Sequence, residues 1–314
     1  MSQEGFEADV EVRPEKAFSL LGNETRFGIL QALWKLSEPL DSSPVSYSDL
    51  MDEVGVRDSG NFNYHLGKLE GHFVESTDDG YALSDAGEQI VQTVVSGTGV
   101  EHVSMEQTHV GVTCAVCGGT ETTVQYDDET LTLRCTECPG SYPSPPGKLA
   151  AFQVPPMGLA NRDPREIFDA GIARVSLKTQ SMLAGVCPTC STEPTIDVKV
   201  CRDHESEGSD PCENCGSTMW AIAYYGCPAC KLTWRFPTWA TVMWHPAVIS
   251  FFYQREPGID PLSWDYFVRG REFGQELVGE DPLRIAITVP CDGDELELVY
   301  DESMAVIDIE PESV

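Results

Sequence analysis

Ten of the twelve cysteines fall in five Cys-x-x-Cys pairs: Cys114/Cys117, Cys135/Cys138, Cys187/Cys190, Cys212/Cys215 and Cys227/Cys230. Two thiols three residues apart on a tight turn present two sulfurs to one side of a tetrahedral ion, and a second such turn completes the shell. The first sixteen residues are acidic and carry no apolar run. The expectation is therefore a cytoplasmic protein, in which paired cysteines read as metal ligands before disulfides.

Cys114, Cys117, Cys135 and Cys138 flank a predicted hairpin in which Val124/Tyr126 and Leu131/Leu133 alternate. Gly118-Gly119 and Pro139-Gly140 suit the sharp turns after each pair. Four thiolates leave no open position, so the site reads as structural Zn²⁺. Cys212, Cys215, Cys227 and Cys230 repeat the pattern around an apolar strand-like segment, residues 219–226. A third set, Cys187, Cys190, Cys201 and His204, would make a Cys₃His site and leave only Cys291 over. The alternative joins Cys187/Cys190 to Cys227/Cys230 or to Cys212/Cys215 and strands one pair. Two zinc sites are thus expected, with the third open to either pairing. Cys291 reads as a small buried apolar residue. His245 has no acidic residue or second His at helical spacing and reads as a packed histidine. The chain contains no nucleophile elbow, P-loop or dinucleotide fingerprint, so no enzyme is expected.

The elements that must carry these groups are of mixed α+β type. A short helix ends at Gly22, and Asn23 can cap a second in which Ile29, Leu33 and Leu36 share a face. Pro39 and Pro44 bracket a loop. Ser46 and Asp49 have capping-box-like spacing for a third helix ending near Gly55. Asp58 or Ser59 can cap a further helix with Phe62, Leu66 and Leu69 on one face. A hairpin about Asp79-Gly80 and a helix from Ser84 to about Ser96 follow. The expected divisions are a DNA-binding domain at 1–98, a linker at 97–111, a zinc ribbon at 112–140 and a Pro-rich linker at 141–161. Residues 162–314 would hold a helix at 163–185, the zinc knuckles of 187–230 and an aromatic, β-containing end. In that last part Ile285–Val289, Leu296–Tyr300 and Ala305–Ile309 alternate as three strands.

The formal charge is −31, from 20 Lys+Arg and 51 Asp+Glu. It is spread along the chain, and Lys is scarce, at 7 against 13 Arg. This suits a protein kept soluble in concentrated salt, where screening shortens to about 3 Å at 1 M and self-repulsion is weak. On electrostatics alone it argues against nucleic acid, whose phosphates want Lys and Arg. Yet from Gly55 to His72 the charges are Arg57 and Lys68 against Asp58 and Glu70, a net of zero. On a helical wheel Asn61, Asn63, Tyr64 and Lys68 lie away from the apolar face, with Gly60 and Gly67 among them. Asn can read adenine edges, and Arg57, Ser59 and Lys68 can meet guanine or phosphate.

Leu21-Gly-Asn-Glu-Thr-Arg26 followed by Ile29-Leu30, and Asn63-Tyr-His-Leu-Gly-Lys-Leu69, resemble the winged helix-turn-helix of ArsR-type transcriptional regulators. Asp58-Ser-Gly-Asn-Phe-Asn-Tyr-His65 and the acidity resemble the variants of halophilic archaea, which carry Cys-rich C-terminal regions. The resemblance spans about residues 14–97 at the level of motifs. It implies binding of double-stranded DNA as a homodimer, with the helix that carries Asn63 in the major groove and the hairpin as wing. Two departures stand out. No Cys precedes Cys114, so the family's metal-sensing pair is missing, and the wing tip, Asp78-Asp79, is acidic. His65 matches the motif but borders the apolar face, which favours packing over base contact.

Residues 220–267 hold 13 of the 28 aromatic residues, five of the six Trp among them. They read first as a core packed beside small zinc knuckles, and second as a pocket for an effector or a groove for a partner. The expected function is sequence-specific transcriptional regulation. The alternative is a general factor binding RNA polymerase, since archaeal transcription factor E also combines a winged helix with a zinc ribbon. No apolar run approaches the ~18 residues a membrane helix needs, so no membrane partner is expected.

Overall fold

The computed structural model describes residues 14–38, 43–99, 102–142, 145–205 and 210–312. The segment before residue 14, Pro39 and Pro143, which figured in the sequence reading, lie outside them. The architecture is mixed α+β, with four small antiparallel sheets among the described residues. The chain separates into two units, Met1–Val100 and Glu101–Val314. No helix among the described residues is long and apolar enough to cross a membrane.

The first unit runs α1 (Pro14–Leu21), α2 (Glu24–Leu36), α3 (Tyr47–Val54), α4 (Ser59–Leu69), β1 (Val74–Thr77), β2 (Gly80–Leu83) and α5 (Asp85–Val95). Short polar side chains start the helices. Asn23 accepts from the Arg26 amide, Asp58 from Gly60 and Asn61, and Ser84 from Gly87. Ser46 caps α3 in the same way, but the Asp49 carboxylate takes the Ser46 hydroxyl at 2.7 Å. The core collects Ile29, Leu30 and Leu33 of α2, Leu50 of α3, Phe62, Leu66 and Leu69 of α4, and Val91 of α5. Each such side chain taken out of water contributes about 1.5–3 kcal/mol.

The hairpin departs from expectation in one detail. Asp78 and Asp79 form its two-residue turn, and Gly80 is the first residue of β2, opposite Thr77. Glycine is required there for a second reason. Val45 bridges to Tyr81 through two backbone hydrogen bonds, and a Cβ on Gly80 would lie 2.3 Å from the Val45 carbonyl oxygen.

The second unit contains three sheets. Strands β3 (Met105–His109), β4 (Thr122–Asp127), β5 (Thr130–Cys135) and β6 (Lys148–Gln153) pair in that order. Asp128 and Glu129, both at positive φ, turn β4 into β5. Here the segments expected as linkers are corrected: 97–111 supplies β3, and 141–161 supplies β6 and the 3₁₀ turn Pro156–Leu159. A lone two-stranded hairpin is marginal in water, and the flanking strands widen it into a sheet that can carry a core. The long helix α6 (Pro164–Leu183), started by a capping box of Asp163 and Glu166, lies on this sheet. Its Gly171 comes so near that a Cβ would meet the Phe152 ring at 2.4 Å.

Strands β7 (Thr195–Val200), β8 (Ala221–Gly226) and β9 (Thr233–Pro237) make the second sheet. Helices α7 (Thr238–Val242), α8 (Pro246–Arg255) and α9 (Trp264–Val268) follow. The meander β10 (Gly274–Glu280), β11 (Leu283–Cys291), β12 (Asp294–Asp301) and β13 (Val306–Glu312) ends the chain. The three expected strands are there, with a fourth, β10, added at the edge. Ile285, Ile287, Val289, Leu296, Leu298 and Tyr300 pack with Phe251 and Phe252 of α8 and with Tyr225 of β8.

Two glycines of the first unit are expected to respond oppositely to alanine. Gly80→Ala should cost more than about 1 kcal/mol, because its φ is +149° and its space is taken. Gly67→Ala, inside α4 with nothing within 4 Å of the added carbon, should gain about 0.5–1 kcal/mol. Hydrogen-exchange protection of the α2 and α4 amides should fall in the first and rise in the second.

Candidate metal centres

Cys114, Cys117, Cys135 and Cys138 come together because β4 leads out and β5 leads back to the same end of the sheet. Their sulfurs stand 3.7 Å apart for Cys114–Cys138 and for Cys117–Cys135. A tetrahedral ion with bonds of about 2.3 Å separates its sulfurs by about 3.8 Å, so the cage has the size of such an ion. Backbone amides point into it: Val116 and Cys117 toward Cys114 Sγ, Gly119 toward Cys117 Sγ and Glu137 toward Cys135 Sγ, at 3.3–3.5 Å. Such donors favour thiolate over thiol. The Arg271 guanidinium lies against Gly118, which adds a cation beside the cage.

The other two groups are Cys187, Cys190, Cys227 and Cys230, and Cys201, His204, Cys212 and Cys215. This corrects the pairing expected from the sequence, which joined Cys187/Cys190 to Cys201/His204 and Cys212/Cys215 to Cys227/Cys230. The reason is the length of a strand. Between Cys190 and Cys201 the chain runs straight along β7, and between Cys215 and Cys227 along β8. Six residues of strand cover about 20 Å, so neither run returns to its start. Instead β7 and β8 pair antiparallel, with Thr195 opposite Gly226 and Val200 opposite Ala221. The residues before β7 and after β8 therefore share one end, and those after β7 and before β8 share the other. No pair is stranded, because the Cys₃His set forms with Cys212 and Cys215 instead.

At the outer group the sulfur distances are 3.6 Å for Cys187–Cys230 and 3.4 Å for Cys190–Cys227. The hydrogen bond between Cys190 and the Thr192 hydroxyl, 3.5 Å, together with the Thr192 amide, lowers the Cys190 thiol to about 6. At the inner group His204 turns Nδ1 to within 3.4 Å of Cys215 Sγ. The Asn214 amide donates to the Asp203 carbonyl at 2.6 Å and ties the two halves together. In each group the four ligand atoms lie within 4.8 Å of one another, so three groups could hold metal ions. Thiolate and imidazole donors in this number are consistent with zinc.

Four of the five Cys pairs share a turn in which the residue after the second Cys has a left-handed φ: Gly118, Ser191, Gly216 and Lys231. Glycine marks two of these positions in the sequence. Ser191 and Lys231 hold the same conformation unmarked, and no composition signal announces them.

On α4, Phe62, Leu66 and Leu69 are buried, while Ser59, Asn61, Asn63, Tyr64 and Lys68 are exposed, as is Arg57 just before the helix. Lys68 Nζ sits over the Tyr64 ring, 5.6 Å from its centre. His65 is half-buried with an unpartnered Nδ1. Asp78 and Asp79 are exposed at the hairpin tip. His245 has a role the sequence did not suggest: it caps α8, its Nδ1 accepting from the Ala247 amide at 3.2 Å, and burial holds its pKa down. Cys291 is buried and its sulfur approaches Glu256 Oε1 at 3.8 Å.

Residues 111–306, more than half of the chain, match the family model described as Domain of unknown function (DUF7351). Residues 14–94 match a second model, Domain of unknown function (DUF7347). No curated protein matches the chain.

Metal content should separate the two pairings. Protein loaded with zinc is expected to hold three ions per chain. Cys187→Ser with Cys227→Ser should leave two, because both fall on one group. Cys187→Ser with Cys212→Ser should leave one. Elemental analysis giving one ion for the first variant and two for a Cys212→Ser, Cys227→Ser double would restore the sequential pairing.

Proposed function

The chain belongs to the family described as Domain of unknown function (DUF7351), and we propose from its own residues that it is a sequence-specific, DNA-binding transcriptional regulator with structural zinc. In this reading the first unit is a winged helix-turn-helix of the ArsR type. Its order of three helices, a recognition helix, a hairpin and a closing helix supports that, as does the motif Asn63-Tyr-His-Leu-Gly-Lys-Leu69.

The observation that carries the reading is the outer face of α4. In a chain of charge −31 this face presents two amides, a phenol, a hydroxyl and two cations, Arg57 and Lys68, with a neutral balance from Gly55 to His72. The open space around Gly67 leaves the helix backbone approachable. Asn61 and Asn63 would read base edges, and Arg57, Ser59, Tyr64 and Lys68 would meet bases or phosphates. The acidic hairpin tip is assigned no phosphate contact. Two copies would bind together. Phe18 of α1 and Val95 of α5, 75% and 45% exposed, are apolar groups that a second copy would cover.

The zinc ions have a structural role, since each group supplies four protein ligands and leaves no position for substrate. In concentrated salt the counterion-release part of DNA affinity is largely suppressed, so groove fit and base contacts would have to carry recognition.

Gel shifts in multimolar KCl on promoter fragments recovered by chromatin immunoprecipitation test the proposal. Asn63→Ala and Lys68→Ala should each weaken specific binding about tenfold. Unchanged binding in both removes the reading face. Discrete genomic sites are expected. Signal at every active promoter would favour the general polymerase-binding factor instead.

A further inference from the structure

The second unit contains a cleft of about 610 Å³ that none of the metal groups accounts for. It lies between two sheet edges, β6 and β9, with α6 across it. Its charged lining residues are Lys148, Arg174, Lys178, Lys231 and Arg235. All five are basic, in a chain where acids outnumber bases 51 to 20, and they include three of its seven lysines. None of the five forms an ion pair with an acidic residue among the described residues.

Edge strands are commonly guarded by a charge against pairing with other chains, and Lys148 on β6 and Arg235 on β9 could serve that end. Arg174 and Lys178 do not fit this explanation. They stand four apart on α6, where like charges cost helix stability, and neither is ion-paired to a carboxylate among the described residues. Burial and the neighbouring Arg174 together push the Lys178 ammonium below its usual range. Two further groups point the same way. Ser176 and Thr179, only 5% and 4% exposed, line the cleft with their hydroxyl-bearing side chains.

The walls are aromatic and held in place. Trp264 Nε1 donates to the Thr113 carbonyl at 2.7 Å, and Trp244 Nε1 to that of Pro261 at 3.0 Å. Trp264 stacks on Phe267 with ring centres 5.2 Å apart. Lys148 and Arg235 both lie over the Tyr142 ring, at 5.7 and 5.0 Å, so one phenol gathers cations from both edges.

We propose that this cleft binds a small organic anion with a flat aromatic body, the Trp and Phe walls taking the body and Lys148, Arg174, Lys178 and Arg235 the charge. The volume falls in the range of small-molecule sites, about 300–1,000 Å³. Ser176 and Thr179 supply the hydroxyl donors that fix its orientation. Lys148 and Lys178 are half-buried, and a partly desolvated cation keeps its attraction in strong salt better than an exposed one such as Arg174 or Arg235. The site is built wholly from the second unit and does not depend on DNA reading by the first.

The test uses the full zinc-loaded chain in multimolar KCl and two dyes of similar shape. One is 8-anilinonaphthalene-1-sulfonate; the other is N-phenyl-1-naphthylamine, which lacks the sulfonate. The anionic dye should bind saturably at one site, with energy transfer from tryptophan. Arg174→Gln with Lys178→Gln should weaken it about tenfold while leaving the neutral dye within about twofold. An unchanged melting temperature and zinc content show that the variant is folded. Equal loss of both dyes, or no loss of either, overturns the proposal. Displacement of the dye by a single-stranded decanucleotide but not by a nucleoside monophosphate assigns the cleft to nucleic acid and overturns it as well.

Discussion

A six-residue strand ends about 20 Å from where it begins, and in the second unit this distance decides where every cysteine pair finds its partner. Where the chain makes a hairpin between two pairs, as β4 and β5 do, the pairs meet. Where a single strand separates them, they cannot, and each must look across the sheet. Sheets of three or four short strands have little core of their own, and small scaffolds of this kind are usually held by a metal or by disulfides. Here the cages sit at strand ends, and the aromatic residues that follow them fill the space the knuckles leave. Trp264 is tied by its indole to the Thr113 carbonyl, one residue from the first cage.

Much of the first unit is legible from periodicity. The buried faces of α2 and α4, and the caps Asn23, Ser46, Asp58 and Ser84, follow from local spacing and short-range hydrogen bonding. The hairpin turn lies one residue before the Asp79-Gly80 signal because Gly80 answers to Val45, far off in sequence, and not to the turn. In the second unit the strands without a clear sequence signal are β3, β6, β9 and β10, each at an edge of its sheet. An edge strand has one partner and one exposed side, so its own residues carry a weak signal: Met105–His109 is mostly polar, and Lys148–Gln153 lies among prolines. The two nested cysteine groups were countable in the sequence but not assignable there until β7 and β8 were known to face one another. The like-charged pair Arg174/Lys178, four apart in an acidic chain, was a visible anomaly whose meaning depended on what the helix packs against.

The net charge of −31 hides two local exceptions. One is the outer face of α4, where charge balances to zero. The other is the cleft beside α6, where every charged lining residue is basic. Both lie where a ligand could approach, and both are invisible in the total.

The nesting of the two groups on β7 and β8 has a mechanical consequence. Strand β7, alternating between exposed and half-buried residues, gives little apolar contrast to hold it against its neighbour. A slip by one residue would carry Cys227 away from Cys187 at one end while moving Cys201 past Cys215 at the other, and it would turn every side chain to the opposite side. Two cages fixed at opposite ends gauge the same alignment independently, as two pins hold a ruler where one would let it swing. The alignment of this hairpin is thus written in ligand positions more than in apolar pattern, and so is the placement of Arg235 and Trp234 on the strand beside it.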